Sequence, residues 1–223
     1  MADAGVPRET PAPIEAEPAA AASLFGDGIE QARRFTRALA EHGEERGLIG
    51  PLELPRLWTR HVLNSVIAAP LFPAGGRVGD VGSGAGLPGI LLAIARPDVQ
   101  WVLIEPMERR VAWLSEQVGD LGLRNVEVVR ARAEEWREGA VLDAVTARAV
   151  SVLRSLLPLT APLVRDGGEL IFLKGQNAQA EIEAATKQFR RFHVVDARVE
   201  VLGEGVLSEP TRALRARISR SPR

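Results

Sequence analysis

Residues 79–90 read GDVGSGAGLPGI, from Gly79 to Ile90, and five of the twelve are glycine. Arg77 to Val81 leads in with an apolar run suited to a strand, and Gly89 to Arg96 leads out as an apolar helix. A glycine-rich turn between a strand and a helix start leaves main-chain N–H groups bare and aims the positive helix end at an electron-rich ligand. A tight turn alone needs about one or two glycines, so this density predicts a ligand lying against the backbone.

Two cofactor classes fit such a loop. Gly84-Ala85-Gly86-Leu87-Pro88-Gly89 satisfies G-x-G-x-x-G, the dinucleotide fingerprint, and Glu105 follows after about 20 residues at the end of the next strand. The other parse begins with Asp80 closing the strand and continues as Gly82-Ser83-Gly84-Ala85-Gly86. An acid ahead of the loop suits a cofactor that carries an ammonium and a sulfonium, whereas it would repel a pyrophosphate.

Outward from the loop, strand and helix patterns alternate. Strands are expected at Val99 to Ile104, Val126 to Arg130, Ala144 to Ala147 and Glu169 to Leu173. Helices are expected at Met107 to Leu121, Ser151 to Val164 and Ala178 to Phe189, with a short one after the third strand. This order implies βαβ units and a mainly parallel sheet covered on both faces. Two later strands, about Phe192 to Leu202 and Thr211 to Ser219, follow; in the last, Leu214, Ala216 and Ile218 alternate with Arg215 and Arg217, which predicts one wet face, and the plainer account of those arginines is that they blunt a sheet edge. Upstream lie two helices, Gly28 to Gly47 with Asp27 as N-cap, and Leu54 to Ala69 ending at Pro70. The Pro-, Ala- and Glu-rich start is expected to be a disordered tail. The resulting division is a tail at 1–22, a helical extension at 23–72 and a cofactor-binding domain at 73–223.

With 223 residues, 46% of them hydrophobic and 26% charged, the chain suits one domain with additions. No apolar run approaches the ~20 residues that span a bilayer, and the N-terminus has no basic start followed by an apolar block. A soluble, cytoplasmic protein without membrane contact is expected. The absence of cysteine excludes disulfides, thiolate metal sites and thiol nucleophiles. A formal net charge of −1 argues against strong general affinity for nucleic acid.

The second parse of the loop resembles the first motif of class I S-adenosylmethionine-dependent methyltransferases. Further matches are more specific: Arg60-His61-Val62-Leu63-Asn64-Ser65, the loop with its Leu87-Pro88-Gly89 tail, Glu105-Pro106-Met107-Glu108-Arg109-Arg110-Val111-Ala112-Trp113-Leu114, Thr146-Ala147-Arg148-Ala149 and Leu173-Lys174-Gly175. In this order they resemble the RsmG (GidB) family of small-subunit rRNA guanine-N7 methyltransferases, from about Glu30 to the C-terminus. Asn64 stands where an aspartate is common, and Glu105-Pro106 where Asp-Ser is common.

The resemblance implies an α/β fold: a class I methyltransferase Rossmann-like sheet, mainly parallel with an antiparallel strand near the C-terminus, plus N-terminal helices. It implies S-adenosyl-L-methionine as cofactor, held by Gly82, Leu87, Ala133, Glu134 and Arg148, with Asp80, Gly84, Gly86 and Glu105 contributing. The implied partner is 16S rRNA in the small ribosomal subunit or an assembly intermediate, with no DNA and a monomeric enzyme favoured. A basic face of Arg60, His61, Arg109, Arg110 and Lys174 is expected to meet the RNA. Guanine N7 has an in-plane lone pair and no proton, so neither a catalytic acid or base nor a metal site is expected. A small-molecule methyltransferase of the same fold and an NAD-dependent oxidoreductase remain the alternatives.

Overall fold

A computed structural model describes residues 13–50, 52–136 and 141–220. Helices α1 (Ala20–Phe25) and α2 (Ile29–His42) come first; a π-helical segment, Leu57–Leu63, then runs into α3 (Asn64–Val66). There follow β1 (Arg77–Val81), α4 (Gly89–Ala95), β2 (Gln100–Ile104), α5 (Glu108–Leu121), β3 (Val126–Val129), β4 (Leu142–Arg148) and α6 (Leu153–Thr160). The chain closes with β5 (Val164–Lys174), α7 (Ala178–Ala184), α8 (Thr186–Arg191), β6 (Val194–Leu202) and β7 (Thr211–Ile218).

The seven strands form one sheet in the order β3-β2-β1-β4-β5-β7-β6, with β1 to β5 mutually parallel and β7 antiparallel to both its neighbours. The chain walks outward from β1 to β3, then returns to place β4 on the other side of β1. That reversal opens a crevice at the carboxyl ends of β1 and β4, where open parallel sheets bind ligands. The central strands are near-continuous apolar runs because both faces are covered. One face packs Val78, Trp101, Leu103 and Ala144 against α2, α4 and α5. The other packs Val102, Val145, Leu170 and Phe172 against α6 to α8.

Several expected elements differ, each for a local reason. The helical chain begins at Ala20, inside the stretch assigned to the tail: Ala21 is fully buried and Glu17 pairs with Arg33 through both carboxylate oxygens. Residues 1–12 lie outside the described residues. Gly28, not Asp27, is the N-cap of α2, because Gly26–Gly28 winds as a 3-10 turn. The helix expected over Leu54 to Ala69 is a 3-10 turn, a π-helical segment and one α-turn. The Ser65 hydroxyl donates to the His61 carbonyl at 2.6 Å, and such side-chain competition with the helical ladder distorts it. The Ala178 to Phe189 helix breaks at Ala185, which is fully buried, while the Thr186 hydroxyl bonds the Glu183 carbonyl at 2.8 Å. Residues 133–135 form a turn in place of the expected short helix, and the stretch after it falls partly outside the described residues.

The last strand is not an edge. β7 lies between β5 and β6, and its arginines serve as cross-strand partners: Arg215 Nη2 meets Glu169 at 2.8 Å and Arg217 Nη2 meets Asp196 at 2.8 Å. Alternation correctly marks a wet face but does not distinguish an edge strand from an inner one.

The N-terminal helices share their apolar cluster with the sheet, as Phe35 is fully buried with its ring centroid 6.4 Å from that of Trp113 on α5. Phe35→Ala is expected to cost about 3–5 kcal/mol, as large buried aromatics do, within one cooperative transition. Urea unfolding followed by both fluorescence and circular dichroism checks this; a separate early transition would contradict it.

Candidate active site

The glycine loop is shaped by two buried acids on neighbouring strands. Asp80, at the end of β1, is fully buried and its Oδ2 accepts the Gly89 N–H at 3.0 Å, at the start of α4. Glu105, just after β2, is 2% exposed; its Oε2 accepts the Gly84 N–H at 2.9 Å and its Oε1 the Met107 N–H at 3.0 Å. Trp113 adds a third anchor, its indole N–H donating to the Ala85 carbonyl at 3.0 Å.

Gly82, Gly84 and Gly86 all take left-handed backbone conformations, at φ +72°, +56° and +92°. At Gly82 a Cβ would also meet Val150 Cγ2 at 2.8 Å. A side chain on Gly89 would strike Leu103 at 2.4 Å and Asp80 Oδ2 at 2.5 Å, so the helix can start this close to the sheet only with glycine there.

Asp80 acts beneath the loop. Burial pushes its carboxyl up to about 7, opposed by the hydrogen bond from Gly89. Its Oδ1 has no partner, and neither has the buried Thr146 hydroxyl across from it on β4. Through Oδ2 its carboxylate braces the loop from inside. Glu105 uses both oxygens, and each keeps a second lone pair after accepting one main-chain N–H.

Arg148 closes β4 on the face of Asp80, and its guanidinium is held by the Leu57–Leu63 segment and Ser65. Nη1 donates to the His61 carbonyl at 3.0 Å and to Ser65 Oγ at 2.9 Å; Nη2 donates to the Arg60 carbonyl at 3.0 Å and lies 2.8 Å from His61 Nδ1. Burial, with Arg60 nearby, brings the guanidinium down to about 10. Because Arg148 can only donate, His61 Nδ1 accepts and Nε2–H donates to Glu53 Oε2 at 2.6 Å. Burial, reinforced by Arg148, lowers the histidine pKa and favours this neutral form.

The remaining expected residues gather at the same end of the sheet. Ala133, buried, and Glu134, exposed, follow β3, and Leu87 is half-buried at the tail of the loop. The five expected basic residues split into two groups. Arg109 and Arg110 open α5 beside Glu105, with Arg110 Nη1 4.0 Å from its Oε2. Arg60, His61 and Lys174 lie across the crevice, but His61 is committed as above and Lys174 Nζ bonds the Ser151 carbonyl at 2.7 Å and Glu181 at 2.9 Å. Asn64 has a structural task that its amide fits: Nδ2 donates to the Arg60 carbonyl and Oδ1 accepts the Thr211 hydroxyl.

An open cavity of about 810 Å3 adjoins the loop on the β4 and β5 side. Its walls include Arg60, Arg148, Val150, Lys174, Glu209 and Arg212. Neither Glu209 nor Arg212 stands out in the sequence: Glu209 falls between the two last expected strands, and Arg212 falls in a strand marked only by its alternation. Among the described residues no group of three or more acidic or histidine side chains is arranged to hold a metal ion, and no helix is long and apolar enough to cross a membrane.

Residues 28–210 match the family described as rRNA small subunit methyltransferase G, GidB. The chain belongs to this family. The rRNA small subunit methyltransferase G of Leifsonia xyli is 67% identical over 205 residues, covering 92% of this chain and 98% of its own. That of Clavibacter michiganensis is 62% identical over 206 residues, covering 92% and 97%. Among solved structures, M. jannaschii TYW2 in complex with AdoMet has a TM-score of 0.57 at 18% identity, covering 72% of this chain and 76% of its own. A SAM-dependent O-methyltransferase from Thermotoga maritima has a TM-score of 0.55 at 15% identity, covering 72% and 66%. The fold is that of S-adenosylmethionine-dependent methyltransferases, and the chain is an rRNA methyltransferase of the GidB family.

The Asp80 geometry has a consequence for pH. An acid whose pKa is raised on folding holds its proton more tightly when folded, so its contribution favours the folded state at low pH and is lost as pH rises through the folded value. For the ligand-free enzyme, stability relative to Asp80→Asn is expected to fall from about pH 4, the unfolded carboxyl value, to about pH 7, then level off. Urea denaturation of both proteins across this range checks the sign; parallel profiles would contradict it.

Proposed function

We propose that this methyltransferase transfers a methyl group from S-adenosylmethionine to N7 of a guanine in 16S rRNA, within the small ribosomal subunit or an assembly intermediate, in the cytoplasm and as a monomer. The observation that carries this reading is the loop held open by Glu105 and Asp80, its left-handed glycines lining the switch point of the sheet.

The residues present fit the cofactor. Gly82 and Gly84 leave the main chain bare, Glu105 retains lone pairs suited to ribose hydroxyls, and Leu87 supplies an apolar flank. Ala133 and Glu134 offer the turn after β3 for the adenine. At Arg148 the contact open to the cofactor is main-chain, because both Nη atoms are spent on the Leu57–Leu63 segment. Residues 73–223 thus carry the cofactor, and the helical extension at 23–72 lends Arg60 to the neighbouring cavity wall.

Bound S-adenosylmethionine supplies an electrophilic methyl group. The guanine N7 needs no deprotonation, so the chain's own residues contribute orientation and exclusion of water, and well-placed reactants gain several kcal/mol from orientation. N7 faces the deep groove of paired A-form RNA, so the target base is read unpaired or splayed out. The near-zero net charge fits RNA already shaped by ribosomal proteins more than naked RNA.

The test combines labelled S-adenosylmethionine with small ribosomal subunits lacking the modification. Wild-type protein is expected to label 16S rRNA. Gly82→Ala is expected to weaken cofactor binding by about tenfold, the factor matching about 1.4 kcal/mol of strain at its positive φ, and Gly82→Arg to abolish it. Transfer to small metabolites instead of rRNA, or unchanged affinity in Gly82→Arg measured by calorimetry, would overturn the assignment.

A further inference from the structure

The cavity beside the loop is separate from the residues assigned to the cofactor, apart from Arg148. Val150 is the partition: it lines the cavity and stands against Gly82. Glu209 is another wall residue of the cavity, and it also lines a small adjoining pocket with Arg56, Thr59 and Arg60, which Val150 does not line. Two carboxylates border the cavity, and they differ. Glu181 is committed, its Oε2 accepting the Leu153 N–H at 2.6 Å and Lys174 Nζ at 2.9 Å. Glu209 is exposed and has no hydrogen-bond or ion-pair partner among the described residues.

The segment carrying Glu209 is braced. Thr211 bonds Asn64, and Gly203, at φ +81°, lies so close to Leu207 and Ile67 that a Cβ would meet them at 2.6 and 3.3 Å. Arg212, next along and half-buried, lines the same cavity with no partner of its own among the described residues. A free carboxylate and a free guanidinium three residues apart therefore face one cavity of nucleotide size.

We propose that Glu209 reads the N1–H and N2–H edge of the target guanine and stabilises the charge that methylation places on it, while Arg212 takes an adjacent phosphate. This rests on the guanine-N7 reading above and names the residues that select the base. The N1–H and N2–H edge of a purine lies across the ring system from N7. A guanine in the cavity with N7 toward Val150 and the loop turns that edge away from the loop, toward the walls that include Glu209. Adenine offers an acceptor at N1 and no amino group at C2, so a carboxylate there rejects it.

The chemistry gives the carboxylate a second task. As the N7 lone pair forms the new bond to the methyl carbon, the carbon–sulfur bond breaks and its electron pair stays on sulfur. The sulfonium becomes a neutral thioether, the positive charge passes to the purine, and no proton leaves. The purine cation makes N1–H a stronger donor, so its bond to Glu209 strengthens along the reaction coordinate. Interactions stronger in the transition state than in the ground state raise kcat.

Single-turnover methylation of small ribosomal subunits by Glu209→Gln and Glu209→Ala tests the proposal, with cofactor affinity and melting temperature measured in parallel. Glu209→Gln is expected to slow methyl transfer by about tenfold or more, the effect of losing a charge-assisted hydrogen bond, with cofactor affinity and melting temperature unchanged. Ribosomal subunits carrying inosine at the target, which lacks the N2 amino group, should slow the wild-type enzyme but add little to the defect of Glu209→Ala. Arg212→Ala should raise KM for the ribosomal substrate in a salt-dependent way, with Arg212→Lys recovering part of it. Transfer rates within about twofold of wild type in both Glu209 variants, or an equal inosine penalty in wild type and variant, would overturn the role of Glu209. A wild-type enzyme that labels no guanine of the 16S rRNA would remove the parent reading and this one with it.

Discussion

The site depends on two buried carboxylates that grip the glycine loop from adjacent strands. Asp80 holds the start of α4 through the Gly89 N–H, and Glu105 holds Gly84 from β2. The register of β1 against β2 sets their spacing, pairing Asp80 with Leu103 and Val81 with Ile104. The Ile104 carbonyl then takes the Gly82 N–H at 2.8 Å, so the loop leaves the sheet already stapled to β2. A loop with three left-handed glycines has much conformational freedom to lose, and these contacts fix it before any ligand arrives. The arrangement costs the burial of a carboxyl with an unpartnered oxygen, a cost that protonation of Asp80 lessens.

A second set of polar contacts joins the N-terminal helices to the sheet. Arg148 reaches from the end of β4 to the carbonyls of Arg60 and His61, which the irregular winding of Leu57–Leu63 makes available. Asn64 reaches from the same segment to Thr211 at the start of β7. The cavity lies between these struts, so its walls come from distant parts of the chain. A change in Arg148 is therefore a change in the cavity wall as well as in the sheet.

Much of the frame was legible in the sequence because its signals are local. β1 and the glycine loop fall where the apolar run and the glycine spacing put them, and α5 stops at Gly122, left-handed at φ +66°. What escaped depends on partners far along the chain. The carbonyls that claim Arg148 are 87 and 88 residues away, and the Asn64 to Thr211 bond spans 147. Periodicity carries no record of such pairings, so Lys174 and His61 read as basic surface although both are tied inward. For the same reason β7 read as an edge: its arginines alternate outward, while the strand that covers it, β6, precedes it in the chain.

On the proposed function, this loop and the cavity beside it serve one reaction at one atom of one base. Base-resolution mapping of 7-methylguanine in 16S rRNA, from cells with the gene, without it, and complemented with it, tests this most directly. The expected result is a single 7-methylguanine that disappears with the gene and returns on complementation. An unchanged methylation pattern in cells lacking the gene would contradict it.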